Sequence, residues 1–217
     1  MEKGREICLR MGEGRELLIV TEELRMPNTN TTKMALAESL KKLMLTKKLE
    51  KITINDLAAD CGISRMAFYY HFKDIYDLVE WVCVEDGKKA LQDKKTYDTW
   101  QDGMRQIFEA VLENKPFILN AYRSIGRERI EGYLYKFTYD LLKDVVEEMC
   151  RGIGLAEGDK AFIADFYKYG FVGIMLDWIG HDMKEEYEEI VQKMCVMLHG
   201  NFARAIRNFD KKEKTLP

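Results

Sequence analysis

The sequence predicts an all-α protein, a small three-helix head followed by a larger helical body. Three observations carry that expectation. Only three prolines occur in 217 residues, Pro27, Pro116 and Pro217, so long stretches are free of the ring that breaks a helix. Lys, Glu, Leu, Met and Ala, all good helix formers, are abundant. Apolar residues recur at spacings of three and four, the period of an amphipathic helix, and the alternating Val, Ile and Thr runs of a strand are hard to find.

Composition narrows the function. Hydrophobic residues make up 47% of the chain, enough for a sizeable core, and the formal net charge is −3. That balance argues against a purely electrostatic nucleic-acid binder, unless a small module touches DNA and a larger acidic one does not. The five cysteines, Cys8, Cys61, Cys83, Cys150 and Cys195, form no CxxC pair. They read as free thiols in a reducing cytosol, not as a disulfide framework or zinc site. The run Leu17-Leu18-Ile19-Val20 is too short for the apolar core of a signal peptide. No apolar stretch spans a bilayer, so a cytoplasmic protein with no membrane partner is expected.

Residues 1–27 carry Gly4, Gly12 and Gly14 among mixed charges, without an apolar face. They read as a flexible arm or a start-site extension, with Met26 as an alternative start. Periodicity begins at about Asn30 and continues to Lys47, with Thr31 or Thr32 as cap and Leu36, Leu40 and Leu43 as the buried stripe. Lys33, Lys41, Lys42, Lys47 and Lys48 lie around it, either as a solvated face or reaching DNA phosphates.

The next segment is punctuated more sharply. Thr53 stands three residues before Asp56, the spacing of a capping box with Asp in place of Glu. Ile54, Leu57 and Ala58 supply an apolar face, and Gly62 ends the helix where positive φ is commonly needed. Ser64 then caps a helix from Arg65 to Phe72. Two short helices joined at Gly62 make a helix-turn-helix. Phe68 and Phe72, four apart, form the buried face of the second helix. Arg65, Tyr69, Tyr70 and His71 fall elsewhere, where they either pack on neighbours or meet DNA. Arg65 reaches a guanine edge or a phosphate, the Tyr and His side chains donate to phosphate without a full charge, and Ala67 lets the backbone approach the groove. Asp74 caps the next helix, whose stripe is Ile75, Leu78, Val79 and Val82.

The string Ile52-Thr53-Ile54 through Asp60-Cys61-Gly62-Ile63-Ser64, followed by Phe68-Tyr69-Tyr70-His71-Phe72-Lys73-Asp74, resembles the DNA-binding head of the TetR family of bacterial regulators. The resemblance covers residues 30–80, with separated elements in register. It implies a dimer on double-stranded operator DNA, with Ser64, Arg65, Met66 and Ala67 at the major groove and Thr53, Tyr69, Tyr70 and His71 on phosphates. Two departures bear on the operator sequence. Ile75 stands where the family has a Lys, a contact that Lys73 can replace, and Met66 stands where the family has a small Gly. Phe166 through Ile179, then Met183 and Glu188-Glu189-Ile190, is similar to the C-terminal domain of the dihydroxyacetone-kinase-activator-like (DhaS-type) branch.

The expected domains are thus the arm at 1–27, the head at 28–80 and an effector and dimerisation body at 81–217. The body should hold five helices at about 97–113, 115–124, 127–151, 159–180 and 183–208, with Gly152 and Gly154 as a break and Asp159 as a cap. The last two are apolar on more than one face. Such helices must bury more than one face, which suits dimerisation through a four-helix bundle. Phe166, Gly170, Gly173, Trp178, Met194 and Phe202 are the candidates for that interface. Two heads on a twofold axis would read a palindrome. Trp100, Phe108, Tyr122, Phe137, Phe166 and Tyr169 are candidates either for a ligand pocket or for plain core. A small-molecule effector or a partner protein would act there.

An enzyme is not expected. His71 belongs to the head, and His181-Asp182 and Cys195/His199 offer too few ligands for a metal. No phosphate loop or dinucleotide fingerprint is present, so no cofactor is expected. An interaction protein that kept the fold without strong DNA binding is the other alternative, separable by salt titration.

Overall fold

The computed structural model describes residues 29–91 and 99–215, with side chains to residue 210. The expected arm at 1–27, including Cys8, lies outside the described residues, as does the start of the helix expected from 97. The described residues form ten α-helices and no strand. The head comprises α1 (Thr29–Met44), a 3-10 turn (Leu49–Lys51), α2 (Ile54–Cys61), α3 (Arg65–His71) and the start of α4 (Ile75–Leu91). The body adds α5 (Trp100–Glu113), α6 (Lys115–Ile125), α7 (Arg127–Met149), α8 (Glu157–Gly180), α9 (Tyr187–Leu198) and α10 (Asn201–Thr215).

The local signals of the head are realised as written. Thr53 and Asp56 close the capping box in both directions, Asp56 N donating to Thr53 Oγ1 at 3.1 Å and Thr53 N to Asp56 Oδ2 at 2.8 Å. Gly62 sits at φ 65°, the left-handed conformation that a Cβ disfavours. Ala67 N donates to Ser64 Oγ at 3.1 Å, and Asp77 N to Asp74 Oδ1 at 2.8 Å. Leu36, Leu40, Leu57, Phe68, Phe72, Leu78, Val79 and Val82 are buried together. The same cluster runs on into the body through Phe117, Ala121, Ile130, Val172 and Leu176. Head and body therefore share one apolar core across the junction.

Three boundaries differ from expectation. Thr31 and Thr32 lie inside the first turn of α1, which already begins at Thr29, and Thr32 is buried. Asp159 lies within the first turn of α8, which starts at Glu157 after Ala156 and has no side-chain cap. The single helix expected over 183–208 is two. Asp182 and Met183 adopt φ of 60° and 51°, so no helix starts there, and Gly200 at φ 69° breaks α9 from α10. The body is held by two further clusters. One joins α7, α8 and α10 through Leu142, Val146, Ile163, Tyr167, Phe202 and Ile206; the other joins α5, α8 and α9 through Met104, Phe108, Met175, Trp178, Val191 and Met194.

Candidate nucleic-acid interface and body cavity

α3 separates its residues by face. Phe68 is fully buried, and its ring meets Tyr69 edge-on at 5.8 Å and Phe72 at 5.9 Å. The opposite face is open: Met66 is 75% exposed, Tyr70 79% and Tyr69 42%. Arg65 is exposed beside them. Its Nη2 donates to Tyr69 Oη at 3.1 Å, with the guanidinium 5.5 Å from that ring. An i, i+4 pair of this kind holds the guanidinium in one orientation. Thr53, Ser64 and Lys73 are exposed, and Ala67 is half-buried. Lys73 N donates to Asp77 Oδ2 at 2.9 Å, which fixes the backbone at the end of α3. Of the nine residues singled out in the head, seven are thus exposed, and Ala67 and His71 are half-buried. Tyr69 and Tyr70 are not packed away against neighbouring helices.

His71 is half-buried at the edge of this surface, edge-on to Tyr70 at 5.0 Å. Its Nδ1 is buried with no hydrogen-bond partner. Burial, and then the charge of Lys33, hold the imidazole below its ordinary pKa of 6.5. The unfolded chain therefore takes up a proton near pH 6.5 while the folded head resists it. The stability carried by neutral His71 is present above that pH and drains as pH falls toward the folded value. Asp56, held low by hydrogen bonds from Thr53, and Asp60, held low by Lys42, lose theirs only below the carboxylate value of 3.8. In urea titrations, His71→Gln is expected to flatten the fall in stability between about pH 7 and pH 5. It should leave the acid loss below about pH 4 in place; an unchanged slope in the upper window would contradict this.

The body holds a partly open cavity of about 170 Å³. α4 contributes Cys83, Asp86 and Gly87, α5 Trp100, Met104 and Phe108, the α5–α6 turn Asn114, α6 Ile118 and Ala121, and α7 Ile130, Leu134, Phe137 and Thr138. Phe171, Val172 and Met175 of α8 and Phe202 of α10 complete most of the wall. The lining is apolar apart from Asp86, Asn114, Thr138 and the thiol of Cys83. Burial, and then the nearby Asp86, push that thiol up to about 12, so it stays protonated. Gly87 makes room for Phe137: a Cβ there would lie 2.8 Å from the ring.

Of the six pocket candidates, Trp100, Phe108 and Phe137 line the cavity. Tyr122 packs beside Gly180 and is not on its wall. Phe166 and Tyr169 are exposed on α8 and are not on its wall. The interface candidates also divide. Trp178, 2% exposed, with Met194 and Phe202, is spent in the protomer's own core. Phe166, Gly170 and Gly173 share an open α8 face, where an added Cβ on either glycine would meet nothing within 4 Å. Phe162, Tyr169 and Ile174 of α8 and Val196 and Met197 of α9 are exposed as well. Sequence reasoning did not name Asp86, Met104, Asn114 or Met175. Met104 and Met175 belong to stripes that look like ordinary core, and Asp86 and Asn114 are single polar residues with no motif around them.

A family model described as bacterial regulatory proteins of the tetR family matches residues 39–82, and one described as a transcriptional regulator C-terminal region matches residues 98–200. The chain is 21% identical over 179 residues to the HTH-type dhaKLM operon transcriptional activator DhaS of Lactococcus lactis subsp. lactis (strain IL1403), covering 81% of this chain and 95% of that protein. Among solved structures, the dihydroxyacetone kinase operon activator DhaS superposes with a TM-score of 0.60 at 19% identity, over 82% of this chain and 97% of the other. A tetR-family transcriptional regulator from Streptomyces coelicolor superposes with a TM-score of 0.52 at 12% identity, over 83% and 88%.

Proposed function

The chain belongs to the TetR family of transcriptional regulators, and on that premise we propose that it binds a palindromic operator as a homodimer and is controlled through its body. The observation that carries this reading is the open face of α3. Arg65, Met66, Tyr69 and Tyr70 are exposed together on a helix whose other side is locked into the core by Phe68 and Phe72. A solvated helix face has no need of two large tyrosines and a methionine; a groove-reading face does. Ser64, Arg65, Met66 and Ala67 are the base-reading residues of this proposal. Thr53, Tyr69, Tyr70, His71 and Lys73 are its phosphate contacts.

Dimerisation draws support from the exposed apolar stripe of α8. Phe162, Phe166 and Tyr169 are each more than half exposed in the single chain, and Gly170 and Gly173 leave room for a second helix to approach. A twofold partner set on this stripe would build a four-helix bundle from α8 and the C-terminal helices. The cavity is the seat proposed for an effector. Its lining suits a small, largely apolar molecule, which would act by favouring one spacing of the two heads. The named relative is an operon activator, and activation by this chain is a proposal of the same standing; regulation without catalysis, in the cytoplasm, belongs to this reading.

Phe166→Asp tests the dimer and its link to DNA together. The wild-type chain is expected to sediment as a dimer and the variant as a monomer, with operator affinity at least about tenfold weaker because two half-sites no longer bind as one. A dimeric variant with native affinity would move the interface away from α8.

A further inference from the structure

Asn120 lies in α6, in the body, yet its side chain is committed to the head. Its Nδ2 donates to the carbonyl of Met44 at 2.9 Å and to that of Lys47 at 2.7 Å. Its Oδ1 accepts from the amide of Leu49 at 3.0 Å. Ser124, one turn on, donates to the same Oδ1 at 3.3 Å and steadies the amide. Met44 is the last residue of α1 and Leu49 the first of the 3-10 turn. The last carbonyls of a helix have no partner within it. Here the end of α1 is satisfied by a residue more than seventy positions away.

The same helix is a wall of the cavity, through Ile118 and Ala121. A second tie runs parallel to the first. Lys41 of α1 pairs with Asp86 of α4 at 2.5 Å and lies over the Phe117 ring of α6 at 5.9 Å, and Asp86 also lines the cavity. The end of α1 and the segment that leads from it into the helix-turn-helix are thus fastened to two of the helices that border the cavity, α4 and α6. Lys41–Asp86 is an ion pair whose cation rides on a long, flexible, partly exposed side chain. Asn120 is a short, three-bonded clamp with little freedom.

We infer that Asn120 is a positioning residue that fixes the angle at which the body holds the DNA-binding head, and through it the half-site spacing the dimer accepts. The inference rests on the operator-binding reading above. A head gripped at the end of α1 cannot swivel about the junction without breaking all three bonds. The shared core of the junction, being non-directional, holds the head close without fixing its rotation as the clamp does.

The test uses the full chain, the operator it selects from genomic DNA, and that operator with two base pairs inserted between the half-sites. The insertion turns one half-site by about 70° relative to the other, given about ten base pairs per turn. The wild type is expected to bind the native spacing far better than the altered one. Asn120→Ala should narrow that ratio by about tenfold, because the heads can then follow the rotated half-site. A clamp that only stabilised the fold would lower the active fraction and weaken both affinities alike, so an unchanged ratio overturns the inference. Hydrogen exchange on the wild-type chain provides an arm independent of any variant. The Leu49 amide is expected to be protected, and exchange at the rate of a free peptide overturns the clamp. If the wild type selected no operator, the operator reading would fail, and the Leu49 amide would still judge the clamp.

Discussion

Phe68→Ala is expected to cost the head about 3–5 kcal/mol, the range for truncating a fully buried aromatic ring. The ring is completely buried at the centre of the cluster that unites α1, α2, α4 and the junction. It also forms the inner side of α3, with aromatic contacts to Tyr69 and Phe72. A domain of ordinary stability has about 5–15 kcal/mol in all, so the loss is a large fraction of what keeps α3 in place. Urea denaturation followed by circular dichroism should show an early transition from the head, and operator binding should disappear with it. Phe68→Leu, which nearly conserves volume, should cost under about 1.5 kcal/mol. Equal losses in the two variants would mean that packing of this ring does not hold α3.

Arg65→Ala separates reading from folding. Arg65 is exposed and donates to Tyr69 on the open face of α3, and exposed substitutions away from the core stay within about 0.5 kcal/mol of the wild type in stability. If Arg65 meets a base edge, operator affinity falls by about 1–3 kcal/mol and discrimination at one base pair relaxes. Lys73→Ala should behave differently, weakening all sequences alike and lowering the dimer's salt slope by about two, one for each head. Salt dependence should be shallow throughout. Thr53, Tyr69, Tyr70 and neutral His71 contact phosphate without neutralising it, which leaves Arg65 and Lys73 as the cations of each head's contact set. At about −0.9 per phosphate neutralised, a dimer using one or both of them has a slope of about −2 to −4. A much steeper slope would show that the lysines around α1 also reach the backbone.

How much of this was written in the sequence depends on how far apart the interacting residues lie. The helix-turn-helix was legible almost to the residue. Its determinants are neighbours: Thr53 caps against Asp56, Gly62 turns the chain, and Ser64 caps three residues ahead. The face of α3 that stays open could be read from the spacing of Phe68 and Phe72 alone. The body was less legible, because helical periodicity says that a residue is apolar and not what it meets. Trp178, Met194 and Phe202 carry the same pattern as Phe166, yet three are core and one is exposed. The break at Gly200 was missed because a lone glycine within a strong apolar repeat is a weak stop signal. Asn120 gave no signal at all. A polar residue in mid-helix reads as solvent-facing, and its partners lie 71 to 76 positions away.

Sequence-specific binding by the face of α3 is tested most directly by capturing fragmented genomic DNA from the source organism on the purified chain and sequencing it. The Tyr69→Ala/His71→Ala variant serves as control. The expected result is enrichment of one palindromic site by the wild type and not by the variant, with half-sites about one helical turn apart. Absence of any enriched site at low salt, or equal enrichment by the variant, would contradict it and leave the helix-turn-helix as a scaffold for a protein partner.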